Sequence, residues 1–102
     1  SLLAAKVSAD NPKVLREMGD RLKDKLKSGV VALGAESGGK ALLLVIVTPD
    51  LQDRFHAGNI VKAMAQAVGG GGGGRPDMAQ AGGPQPENLD QALAKVREIV
   101  GG

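Results

Sequence analysis

The sequence predicts an α/β fold: a single domain in which helices pack on a small mixed β-sheet. Three observations lead there. The chain has 102 residues, enough for one domain around one core. Its apolar residues are Leu, Val, Ile, Ala and Met, with Phe55 the only aromatic, and small aliphatic side chains pack in thin layers such as helices laid on a sheet. Stretches with apolar residues at spacings of three and four also alternate with short apolar runs of strand length.

The elements follow in order. Leu3–Ser8 reads as a short first strand. Asn11-Pro12 opens a helix, because Asn caps free amides and Pro suits the first helical position. Leu15, Met18, Leu22 and Leu26 form its apolar stripe, Glu17 and Arg21 make a supportive pair, and Ser28-Gly29 stops it with glycine in the C-terminal place. Val30–Ala35 is a strand, Glu36-Ser37-Gly38-Gly39 a turn, and Ala41–Val47 a second strand. The latter is apolar on both faces, the mark of a central strand covered on two sides. Thr48–Phe55 is a loop. His56–Val68 fits a helix with Ile60, Val61, Met64, Ala65 and Val68 inward, and Met78–Ala81 fits a short strand. Asn88 with Gln91 resembles a capping box, ahead of a last helix striped by Leu89, Leu93, Val96 and Val100.

Composition excludes several classes of chemistry. With no cysteine there is no disulfide framework, thiolate metal site or Cys nucleophile, and one histidine, His56, supplies no multi-histidine site. No nucleophile–base pair is signalled, so no catalysis is expected. The longest apolar run falls far short of the roughly 20 residues that cross a bilayer, and the start does not resemble a signal peptide. A cytoplasmic location and no membrane partner are the expectation. The sequence does not open on Met, so it reads as a piece of a longer chain. Net charge is +2, a mild lean toward anionic partners.

The strongest local feature is Gly69–Gly74, six glycines in succession. It is not a dinucleotide fingerprint, which must follow a strand and open a helix, nor a P-loop, because Arg75-Pro76 stands where Lys-Ser/Thr belongs. A flexible linker would join two domains, whereas this run lies inside one. Six glycines are costly to order, and the compensation expected is close approach of a ligand to bare main chain. Arg75 makes an anion-facing corner with those amides, pairs with Asp77, or does both. Arg16, Lys23 and Lys27 on the first helix are solvated charges or nucleic-acid contacts. Without Tyr or Trp there is no platform for splayed bases, so any RNA is held by shape and phosphate.

The block from Val68 through Gly69–Gly74, Arg75-Pro76-Asp77-Met78-Ala79-Gln80-Ala81-Gly82-Gly83 resembles the signature of the C-terminal globular domain of bacterial alanyl-tRNA synthetases, a DHH-associated domain. Leu15-Arg16-Glu17, Asp20–Leu26, Ser28–Ala35, Thr48-Pro49-Asp50-Leu51 and Ala57-Gly58 extend the resemblance over nearly the whole chain. It implies a non-catalytic module, spanning 1–102, that docks the outer corner of tRNA(Ala) and helps couple the aminoacylation and editing domains of the same enzyme. The parent would use ATP, Mg and Zn, and this part no cofactor. Carried over by position, the RNA-facing residues are Gly70, Gly72, Gly73, Gly74, Arg75, Asp77 and Gln80, with Gly71 standing where the family often has Lys or Arg. Two other readings remain: the substrate-binding half of a DHH-type phosphodiesterase, and a bridge between domains. If the glycine block is the interface, Val at Gly72 and Gly73 should block RNA without unfolding the domain.

Overall fold

Residues 2–101 are described in a computed structural model of the chain. The elements are β1 (Leu2–Lys6), α1 (Pro12–Leu26), β2 (Val30–Ser37), β3 (Lys40–Val47), α2 (Ala57–Ala67), β4 (Gly71–Gly74), β5 (Met78–Gly83) and α3 (Leu89–Gly101). Short 3₁₀ turns at Pro49–Leu51 and Pro86–Asn88 link β3 to α2 and β5 to α3. The strands form one sheet in the order β1-β2-β3-β5-β4, parallel between β1 and β2 and antiparallel elsewhere. The α/β class and the mixed sheet are as the sequence predicts, and the doubly apolar run is the central strand.

Because successive strand side chains alternate in direction, each strand feeds two cores. Val30, Ala32, Leu43, Val45, Val47 and Ala79 face α2 and α3, meeting Ile60, Val61, Met64, Leu89, Leu93 and Val96. Val31, Leu33, Ala35, Leu44 and Ile46 face α1, meeting Leu15 with Met18, Leu22 and Leu26 at the margin. The inward residues predicted for α2 are all buried. In α1 only Leu15 and Gly19 are buried, so Leu22 is a half-buried flank and not a core position. Gly19 is where α1 rests on the sheet: a Cβ there would stand 2.3 Å from Leu44 Cδ2.

Asn11 caps α1 as expected, its Oδ1 accepting from the Val14 N–H at 2.9 Å. The other end differs. Lys27, not Gly29, takes the positive φ (62°, with ψ −54°), and the Ser28 N–H donates to the Leu26 carbonyl at 2.6 Å, forming a γ-turn. The cause is tertiary. Gly29 is buried with its N–H donating to Thr48 Oγ1 at 3.0 Å, and Ser28 Oγ donates to Asp50. With both residues held by the end of β3, the chain reversal falls on Lys27.

Other expectations are corrected. Glu36 and Ser37 belong to β2, and the turn is Gly38-Gly39 alone, with φ of 57° and 78°. Glu17 and Arg21 are both exposed and form no ion pair among the described residues. Asn88 closes a 3₁₀ turn and its side chain donates to Gln85 Oε1 at 3.2 Å, so it makes no capping box.

Candidate nucleic-acid interface

Gly69 and Gly70 lead out of α2, and the last four of the six glycines are not a loop. Gly71–Gly74 is an edge strand, paired residue for residue with Gly82, Ala81, Gln80 and Ala79 of β5. Its conformation is imposed by that partner, since glycine has no strand preference of its own. The Arg75 N–H donates to the Met78 carbonyl at 3.2 Å, which makes Gly73–Gln80 the hydrogen-bonded pair and turns the N–H and C=O of Gly72 and Gly74 away from β5. Gly74 is partly covered: a Cβ on Gly58 of α2 would lie 2.5 Å from the Gly74 oxygen. The open part of the edge is therefore centred on Gly72.

The glycines divide by what surrounds them. A Cβ on Gly70 would lie 1.8 Å from the Gly82 oxygen, on Gly72 2.4 Å from Ala81 Cβ, and on Gly74 2.7 Å from Ala79 Cβ. Gly71 and Gly73 have nothing within 4 Å. With Gly69, whose φ is 76° and whose Cβ would lie 2.9 Å from the Gln85 side chain, four of the six glycines are required by the fold, and the expectation that Gly72 accepts Val without disturbing the fold is corrected: Ala81 occupies that space. The open side of Gly71 and Gly73 is the one that Gln80 faces. Gln80 Nε2 donates to the Pro12 carbonyl at 3.0 Å, tying β5 to the start of α1. The bare strand and α1 therefore border one surface.

A cleft of about 210 Å³ lies between α1 and the β4–β5 turn. Arg16, Asp20 and Lys23 line it from α1, Arg75, Asp77 and Met78 from the turn and β5, and Ile46, Val47, Pro49 and Gln52 form its floor and end. Positions 16, 20 and 23 share a face because they are four and three residues apart. Of the residues singled out in the sequence, the fold brings Arg16, Lys23, Arg75 and Asp77 together here. Lys27, exposed on its γ-turn, does not line the cleft. Sequence reading missed Asp20 and Gln52. The spacing of Asp20 from Arg16 and Lys23 was the available signal for the first; for Gln52, none was.

Arg75 Nε lies 3.3 Å from Asp77 Oδ1. Both side chains are solvent-accessible, so the pair adds little stability and serves to orient the guanidinium. Three cations against two carboxylates leave the cleft weakly positive. His56 caps α2, its Nδ1 accepting from the Asn59 N–H at 3.2 Å. Among the described residues no group of three His, Cys, Asp or Glu is placed to hold a metal, and no helix is long and apolar enough to cross a membrane.

Fold and surface together define a small α/β domain with helices on both faces of a mixed sheet, ending at a side-chain-free edge beside a basic cleft. The chain belongs to the DHHA1 domain family, whose profile matches residues 1–102. It is 60% identical over 100 residues to the alanine–tRNA ligase of Desulfosudis oleivorans, covering 98% of this chain and 11% of that ligase. Against the alanine–tRNA ligase of Anaeromyxobacter dehalogenans it is 59% identical over 99 residues, covering 97% and 11%. The chain thus spans about a tenth of the length of these relatives. The C-Ala domain from Aquifex aeolicus alanyl-tRNA synthetase has the same fold, with a TM-score of 0.89 at 30% identity over 99% of this chain and 91% of that one.

Proposed function

We propose that this domain is the tRNA-docking module of an alanyl-tRNA synthetase. It holds the outer corner of tRNA(Ala) and, by doing so, helps the aminoacylation and editing domains of the same polypeptide serve one tRNA. On this reading it is one non-catalytic domain of a cytoplasmic enzyme, and ATP, Mg and Zn are held elsewhere in that enzyme. The observation that carries the proposal is the convergence of Arg16, Lys23 and Arg75 on one cleft, with Arg75 directly following the bare strand β4. A polyanion can reach main-chain amides where no side chain intervenes, while the cations supply the fixed charge. Lys27 lies one helical turn beyond Lys23 and offers a further phosphate contact.

The test is binding of tRNA(Ala) to a synthetase carrying this domain, measured as a function of salt. Arg75→Ala and Lys23→Ala should each lower affinity and reduce the slope of log affinity against log salt by about one. Variants that remain folded by circular dichroism and bind as wild type would remove the cleft from the interface. An open edge strand also suits a second reading, in which β4 pairs with a strand of a neighbouring domain. That reading expects unchanged tRNA affinity with impaired editing in variants altered at Gly71 or Gly73.

A further inference from the structure

We propose that the cleft reads ribose as well as phosphate: Asp20, with Asp77 across from it, accepts a hydrogen bond from a 2′-hydroxyl, so the domain favours a ribose backbone. The inference rests on the tRNA-docking reading above and goes beyond it.

The starting point is a mismatch of charge. Arg16, Lys23 and Arg75 attract phosphate, yet Asp20 and Asp77 stand on the same walls. Asp20 is exposed and forms no ion pair among the described residues, so its charge is not consumed inside the protein. A carboxylate facing a polyanion weakens binding unless it meets a donor. Phosphate oxygens only accept, and the one donor a nucleic-acid backbone offers is the 2′-hydroxyl, present in RNA alone. Base amino groups are the other source, since each keeps one hydrogen free in a groove when paired, but they occur only at particular bases, whereas the 2′-hydroxyl recurs at every nucleotide. No aromatic side chain lines the cleft to hold an unpaired base. Asp77 engages Arg75 at Nε, which leaves the terminal guanidinium nitrogens to donate to a phosphate. Cations and a free carboxylate on adjoining walls thus match the alternation of phosphate and 2′-hydroxyl along one strand.

The test compares binding of the 102-residue chain, by fluorescence anisotropy at low salt, to a tRNA transcript and to the same sequence built from 2′-fluoro riboses. The fluoro backbone keeps the A-form shape but cannot donate. Wild type should prefer the hydroxylated strand by roughly five- to tenfold, the scale of a hydrogen bond to a charged acceptor at a solvent-accessible site. Asp20→Ala should bring that ratio close to one by weakening the hydroxylated strand. Asp20→Asn, whose amide oxygen still accepts, should retain part of the preference while binding both strands more tightly. Equal binding of both strands by wild type, or a ratio untouched by Asp20→Ala and by Asp77→Ala, overturns the inference and leaves tRNA docking standing. Binding of neither strand overturns both.

Discussion

The sheet contains two hairpins that could hardly differ more in composition. In β2–β3, every residue from Val30 to Ala35 and from Leu43 to Val47 is buried, and each side chain belongs to one of two cores. In β4–β5, the outer strand is four exposed glycines and only Ala79 of its partner is fully buried. Both are regular antiparallel pairs. The comparison teaches that a strand can be specified by its own side chains or by the vacancy it must fill. β3 is a strand because its side chains demand cover on both faces. β4 is a strand because Ala79 and Ala81 leave room for nothing larger than glycine beside them, and because β5 offers an unpaired edge.

The sharpest way to break the comparison is inside β3. Leu44 is fully buried against α1, so Leu44→Ala should cost about 3–5 kcal/mol in urea unfolding. Gly19→Ala alone should cost about 1–3 kcal/mol by overpacking, since its Cβ would meet Leu44 Cδ2. In the Leu44→Ala background the same change should be neutral or stabilising, because the new methyl enters the space vacated. Simple additivity of the two would mean that α1 does not rest on Leu44.

The next effect separates glycines within β4. Gly72→Ala should cost about 1–3 kcal/mol, its Cβ meeting Ala81, whereas Gly73→Ala should be neutral or stabilise by up to about 1 kcal/mol through the unfolded state. Equal losses at both positions would show that the register with β5 differs from Gly73 opposite Gln80. Gly73 is also the position at which a side chain can be introduced to obstruct RNA with the fold intact.

The smallest effect lies at the end of β3. The Ser28 hydroxyl, and after it the Thr48 hydroxyl, donate to Asp50 and lower its pKa below the ordinary carboxylate value. A lowered folded-state pKa means stability that is present above the unfolded value of about 3.9 and lost as pH falls through the folded one. Wild type should therefore melt slightly above Asp50→Asn from neutral pH down to about pH 5, and the gap should close as the solution is acidified further. A gap that persists unchanged below pH 3 would show that the carboxylate charge plays no part in fixing the Lys27 turn.

The sequence by itself determined the elements whose cause is local or periodic. Asn11 at the start of α1, the inward face of α2, the central place of β3 and the stripe of α3 are legible because a cap needs one side chain and a buried face needs a repeat. The family resemblance was legible too, in the block running from Gly69 to Gly83. Tertiary structure alone decided the rest. A run of glycines has no periodicity, so nothing in Gly71–Gly74 distinguishes a strand from a loop; the pattern that decides is in β5. Lys27 takes the turn expected of Gly29 because Thr48 and Asp50, about twenty residues away, hold its neighbours. Arg16 and Arg75 share a cleft because α1 packs across the sheet that carries β5, with Gln80 of β5 bonded to the start of that helix. Local rules act over three or four residues, whereas these arrangements depend on partners brought together by the closing of the sheet.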